Sequence, residues 1–242
     1  MKPQQTRGTT QSFEGTGPAG RSRKARRRRP NLESLETRQV LSTFAVNTTA
    51  DSVAVDLQTG KDATGHISLR SAIMAANAHA GADSITLPTG LFQLSIAGAN
   101  EDNTATGDLD IKSDLTIDGT GNSVIDGNSL DRVFEILSGN VRISGVTIKG
   151  GLSSTGGGLL NVAGNVTLSN DTISNNTAIG SAGLNGSSGN ATRVGGSPGG
   201  NGGDAFGAGV DNVGGSLTIA NSLITGNVAR GARAGAAAQA SA

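Results

Sequence analysis

Val141-Arg-Ile-Ser-Gly-Val-Thr-Ile148 returns as Val166-Thr-Leu-Ser-Asn-Asp-Thr-Ile173 and again as Leu217-Thr-Ile-Ala-Asn-Ser-Leu-Ile224. The first offset is 25 residues and the second 51, which is two coils or one coil carrying a large insertion. Residues 156–178 laid without gaps over 207–229 agree at 10 of 23 positions, among them Asn161/Asn212, Asn170/Asn221, Ile173/Ile224 and Asn176/Asn227. A repeat of this length marks a solenoid, in which each unit completes its core only against its neighbours. Such a stack is first a surface, and a catalyst only where a site is grafted onto it.

Working outward from the repeat, Leu115/Ile117, Val124/Ile125, Phe134/Ile136, Val141/Ile143, Val146/Ile148, Leu160/Val162 and Val166/Leu168 keep the same rhythm. Two inward residues and then a turn make strands too short to stand as hairpins. Stacked at about 4.8 Å, they complete one another's ladders over an aliphatic column. The recurrent Asn suits the turns, because it tolerates left-handed backbone and its amide can bond the Asn of the next coil.

Composition agrees. Aromatics are 2% of the chain and consist of five Phe, so the core must be aliphatic, while 38 Gly among 242 residues supply turns. The absence of Cys excludes disulfides, thiolate metal sites and a Cys nucleophile. The formal charge of zero conceals nine Lys and Arg in residues 1–29 against one acid, Glu14, and a net of −8 in the remainder. No apolar run approaches the roughly 20 residues of a membrane helix, and residues 1–30 hold no secretory apolar core.

Residues 1–42 are polar and basic and are expected to be a disordered arm. Residues 43–96 form a cap region with one helix over about 68–79, from Ser68 as N-cap to Gly81 just past its end, followed by the first strands. Residues 97–110 are a polar excursion. Residues 97–229 carry the coils, with a Gly-rich loop projecting at about 180–207, and residues 230–242 are expected to be a disordered, uncapped tail. That abrupt end suggests a piece of a longer surface protein.

The segment His66-Ile-Ser-Leu-Arg-Ser-Ala-Ile73, followed by Asn77 and Ala82-Asp-Ser-Ile-Thr-Leu87, resembles the CSLREA module of bacterial secreted right-handed parallel β-helix proteins. Ile67 stands in place of its Cys and Ser71 in place of its Glu. The resemblance, over roughly residues 66–229, implies a helix-capped right-handed parallel β-helix. Gly157-Gly-Leu-Leu160 and Ile173-Ser-Asn-Asn176 are weakly similar to the repeat units of polymorphic outer-membrane proteins. Upstream, Leu32-Glu-Ser-Leu-Glu-Thr-Arg-Gln-Val-Leu-Ser42 resembles the LEPR-XLL sorting motif of large bacterial surface proteins, with Thr37 for its Pro and Val40 for one Leu. It implies an extracellular or cell-surface location.

Because β-helices host polysaccharide lyases and hydrolases, carboxylates near a cation or base are the pattern to look for. Asp108, Asp110, Asp114, Asp118, Asp126 and Asp131 are the densest acidic set, and most sit beside Gly, Asn or Ser as turn formers do. Convergence of Asp108, Asp110, Asp126 and Asp131 with Arg132 or Arg142 would favour an enzyme. His66 and His79 both fall in the cap region. Gly199-Gly-Asn-Gly-Gly-Asp204-Ala-Phe206-Gly fits one calcium-binding nonapeptide, but such ions lie between neighbouring repeats, so it reads as a plain loop. Arg21–Arg29, with seven basic residues in nine, reads as a targeting or solvated arm rather than a nucleic-acid contact.

The sequence thus predicts an all-β right-handed parallel β-helix with no assigned catalytic, cofactor or metal residue. The expected role is structural or adhesive, towards extracellular polysaccharide or surface proteins. A polysaccharide-active enzyme and a calcium-dependent adhesin are the alternatives.

Overall fold

The computed structural model describes residues 41–99, 101–186 and 198–236, together with Gly8 and Gly15. The basic run Arg21–Arg29 and nearly all of the Leu32–Ser42 motif lie outside the described residues. The elements belong to one unit, Gln39–Ala242. In chain order they are β1 (Thr43–Ala45), α1 (Leu69–Ala78), β2 (Asp83–Leu87), β3 (Gly90–Gln93), β4 (Leu109–Ile111), β5 (Leu115–Asp126), β6 (Phe134–Ile136) and β7 (Asn140–Lys149). They continue with β8 (Leu152–Ser153), β9 (Leu159–Asn161), β10 (Asn165–Ser169), β11 (Thr172–Ser174) and β12 (Thr177–Ile179). Then come β13 (Val210–Asn212), β14 (Ser216–Ala220), β15 (Leu223–Thr225) and β16 (Val228–Arg230).

The described strands pair in parallel and form three sheets. The largest follows the path β1-β2-β5-β7-β10-β14, with β3, β11 and β15 beside it; the others are β4-β6-β9-β13 and β8-β12-β16. From β6 onward each pass of the chain adds a strand to each sheet in turn, so the protein is all-β and parallel with one short helix. The 51-residue offset is one coil carrying an insertion, because β10 pairs directly with β14, β9 with β13 and β12 with β16.

Register explains the repeat. Phe44, Ile85, Ile117, Ile143, Leu168 and Ile219 stand opposite one another in six successive strands. Phe92, Ile125, Ile148, Ile173 and Ile224 form a second column. Interior members are wholly buried, whereas Ile219 and Ile224 are 39% and 48% exposed because no further strand among the described residues covers them. Asn170, Asn175 and Asn221 take φ of 59°, 56° and 52°, the left-handed backbone that lets a strand turn a corner within one residue.

Helix α1 is stopped at both ends by local chemistry. Ser68 Oγ accepts from Ser71 N at 3.0 Å and Ser71 Oγ accepts from Ser68 N at 2.9 Å, so a Ser closes the capping box where Glu or Gln is usual. Leu69, Ala72, Ile73, Ala75 and Ala76 are buried on the core. An additional strand not expected from the sequence, β1, pairs with β2 and starts the largest sheet.

Residues 180–186, 198–205 and 231–236 hold no strand, and their backbones bond one another. Gly180 N, Gly183 N and Gly186 N donate to the carbonyls of Arg230, Arg233 and Ala236 at 3.0, 3.1 and 2.9 Å. Gly235 N and Ala232 N donate to Gly200 O and Gly203 O at 2.8 and 3.0 Å. The three-residue period of the first set matches the three residues per turn of an extended polyproline-type chain, whose backbone must bond sideways. A Cβ on Gly180 or Gly183 would lie 1.9 or 2.1 Å from a backbone oxygen, so the insertion is Gly-rich because its chains touch backbone to backbone.

Candidate functional site

The outer face of the β4-β6-β9 sheet carries an acidic row. Asp110 of β4 stands directly opposite Glu135 of β6, both alternating outward between the buried pairs Leu109/Ile111 and Phe134/Ile136. The polar excursion folds back over this face and covers Asp110 completely. Ala99, Asp102, Asp108, Asp131, Arg132, Glu135, Ser153 and Ser154 line the resulting cavity, of about 460 Å³.

The excursion is held by helix α1. Arg70 of α1, itself buried, sends Nη1 to Thr104 O and Asp108 O at 3.1 and 3.0 Å and Nη2 to Gly107 O at 2.8 Å. Its other edge pairs with Asp51, with Nε to Oδ1 at 2.6 Å and Nη2 to Oδ2 at 3.2 Å. Asn77 adds Nδ2 to Asp110 O at 2.7 Å and accepts from Lys112 N at 2.9 Å. Glu101 accepts from Asn103 N and Thr106 N at 2.9 and 2.7 Å. Thr104 takes a φ of 61° while its N–H bonds Asp110 Oδ2 at 2.7 Å.

Within the cavity Arg132 is the central cation. Its Nη1 bonds Glu135 Oε2 and lies 3.4 Å from Asp108 Oδ2, and its Nη2 donates to Ser153 Oγ at 3.2 Å. Burial, followed by the charges of Asp110 and Asp131, pushes the Asp108 carboxyl up to about 8 despite Arg132. Burial likewise pushes Asp110 up to about 7, against the opposing bond from Thr104 N. Burial thus disfavours the charged form of both carboxyls on this face.

Of the acids picked out from sequence, Asp108, Asp110 and Asp131 gather here with Arg132. Asp110 lies in β4 and is buried rather than a turn former, which corrects its expected role, and Asp108, in the bend before that strand, is buried too. Asp114, Asp118 and Asp126 lie at or along strand β5 of the largest sheet, away from the cavity. Asp114 Oδ1 accepts from Asn140 N at 2.7 Å, Asp118 from Ser144 Oγ, and Asp126 from Asn128 N at 2.9 Å and Lys149 Nζ at 3.1 Å. Arg142 sits on that sheet, opposite Thr116 and Thr167, and does not join the cavity. His66 Nδ1 bonds Thr64 Oγ1 at 2.9 Å, while His79 Nδ1 bonds Ser42 Oγ at 3.1 Å and its ring packs on Phe44. Asp204 is exposed and joins no metal-ligating group among the described residues. Asp102, Glu135, Ser153 and Ser154 were missed, although outward alternation in Phe134-Glu135-Ile136 was a usable signal for Glu135.

A further acid, Asp171, is buried at a corner and accepts from Val146 N at 3.0 Å and Ser169 N at 2.8 Å. Burial outweighs these bonds and raises its carboxyl to about 6 from 3.8. A raised folded value means its contribution is full below pH 3.8 and is lost as pH rises through about 6. Asp171→Asn should therefore flatten the pH dependence of unfolding free energy between those values, removing a total difference of up to about 3 kcal/mol. Urea midpoints of both proteins at pH 4 and pH 7 measure this, and parallel curves would refute it.

Searches of family models, curated proteins and solved structures find no match for the chain.

Proposed function

We propose that the chain is a right-handed parallel β-helix module of a secreted or cell-surface bacterial protein, with a structural or adhesive and non-catalytic role. The observation that carries this reading is the outer face of the largest sheet. There Ser84, Thr116, Arg142, Thr167 and Thr218 stand in one row across five strands. Beside it Asn165 Nδ2 bonds Asn140 Oδ1 at 3.1 Å and Ser216 Oγ bonds Asn165 Oδ1 at 3.0 Å. Rows of hydroxyl and amide groups at the spacing of parallel strands offer repeated donors and acceptors to an extended polar polymer such as extracellular polysaccharide. The resemblance of residues 32–42 to a sorting motif, behind a basic arm, supports export. Among the described residues no helix is long and apolar enough to cross a membrane.

Fractionation of cells producing the tagged chain tests the location: surface or medium is expected, and retention in the cytosol would overturn it. Retention on purified cell-wall polysaccharide, reduced by Thr116→Ala with Thr167→Ala, tests the face.

A second reading, a polysaccharide-active enzyme, is favoured by Asp108, whose raised carboxyl beside Arg132 suits a proton donor. Release of reducing ends or unsaturated products from acidic polysaccharides, lost in Asp108→Asn, would establish that reading over the adhesive one.

A further inference from the structure

We propose that the carboxylates of Asp102, Asp110 and Glu135 bind a single calcium ion that fastens the 101–108 excursion onto the outer face of the β4-β6-β9 sheet. One carboxylate oxygen from each of these residues lies within 4.8 Å of the other two. Calcium–oxygen bonds of about 2.3–2.6 Å place ligands on opposite sides of the ion about 4.6–5.2 Å apart and adjacent ones closer, so one ion can touch all three.

A cluster of acids alone would not require an ion, but Asp110 supplies an independent sign. Its Oδ2 is satisfied by Thr104 N at 2.7 Å, whereas its Oδ1 is buried with no hydrogen-bond partner. A buried carboxylate oxygen without a partner is costly, and a cation is the partner that satisfies it most completely. Asp110 and Glu135 also stand directly opposite each other on neighbouring strands, a placement that repels when both are charged. Arg132 relieves only part of that repulsion, since it engages Oε2 of Glu135 and reaches towards Asp108 rather than Asp110.

The surroundings select the kind of ion. The three side chains offer oxygen only, which suits a hard cation rather than zinc. Asp102 is exposed, so water can complete the six to eight ligands that calcium accepts. Magnesium demands a near-ideal octahedron and keeps several waters, which three carboxylates on two strands and a loop do not impose. Arg70 fixes the loop carbonyls of Thr104, Gly107 and Asp108 from the core side, leaving the ion to fix the loop from the solvent side. The site is independent of the adhesive face and of the nonapeptide around Asp204.

The test uses the full chain, stripped with a chelator and titrated with calcium by calorimetry, with terbium luminescence as a second probe. One ion per chain is expected, with a rise of several degrees in melting temperature that magnesium does not reproduce. Asp110→Asn and Glu135→Gln should each weaken calcium at least about tenfold, while Asp126→Asn on the other sheet leaves it unchanged. Folding of each variant is checked by circular dichroism. Because Asp110→Asn removes a buried unpaired oxygen, the stripped variant should melt no lower than the stripped parent. Failure of the parent to bind calcium, undiminished binding by the Asp110→Asn, Glu135→Gln double variant, or an equal loss in Asp126→Asn would each overturn the proposal.

Discussion

Replacing Arg70 with Met is expected to lower the unfolding free energy by about 3–5 kcal/mol, the range for removing one partner of a buried ion pair. The guanidinium is fully desolvated and Asp51 nearly so, and their contact is 2.6 Å long. Met fills a similar volume, so the loss is electrostatic rather than a cavity. Asp51 keeps only its bonds from Ser95 N and Ile96 N at 2.7 and 3.0 Å, and the carbonyls of Thr104, Gly107 and Asp108 lose their donor in the interior. Lys should fare little better, because an ammonium lacks the planar fork that reaches Asp51 and three carbonyls together. Adding Asp51→Asn to Arg70→Met should recover part of the loss, since the uncompensated charge is gone. Urea unfolding of the three variants measures these differences. A loss below about 1 kcal/mol in Arg70→Met would show that the cap and the excursion do not depend on this residue.

Asn176→Leu is expected to cost about 3–5 kcal/mol although Leu is the better core residue by hydropathy. Asn176 is wholly buried. Its Oδ1 accepts from Gly151 N at 2.9 Å and its Nδ2 donates to Ile148 O at 3.2 Å, so the amide serves the backbone of the preceding coil at a corner where the ladder breaks. Asn227 repeats the device one coil later, accepting from Asn176 N at 2.9 Å and donating to Ile173 O at 2.9 Å. Leu would strand Gly151 N and Ile148 O, at roughly 1–3 kcal/mol each, and deprive Asn227 Oδ1 of one donor. Asn227→Leu at the exposed end should cost less, because water reaches the groups it frees. Thermal melts of the two variants give the comparison, and equal losses would contradict it. The same geometry explains Gly158 and Gly209, whose added Cβ would sit 2.8 Å from the amide nitrogen of Asn176 and of Asn227 respectively. Glycine and Asn recur together because one makes room for the other.

The stacking was legible because a parallel stack places identical register positions over one another, so periodic identity in the chain becomes vertical contact in space. Ile143, Leu168 and Ile219 could be assigned to one column from spacing alone, and helix α1 could be read from Ser68 and the apolar spacing behind it. The packing of the glycine insertion was not legible because it comes from backbone bonds between segments about 30 to 50 residues apart in the chain, which side-chain patterns do not record.

The amino-acid order by itself determined the parallel all-β stack, its aliphatic columns and its Asn corners, since each arises from local propensity repeated at a fixed interval, and the one short helix from its own local pattern. Only the tertiary structure decided that Asp102, Asp108, Asp131, Arg132 and Glu135 share one cavity, with Asp110 grouped beside Asp102 and Glu135. That outcome depends on the irregular excursion closing over β4 and β6 and on Arg70 anchoring it from another element. Neither contact has a period, so the burial that raises the Asp108 carboxyl and leaves Asp110 Oδ1 unpaired could not be read along the chain.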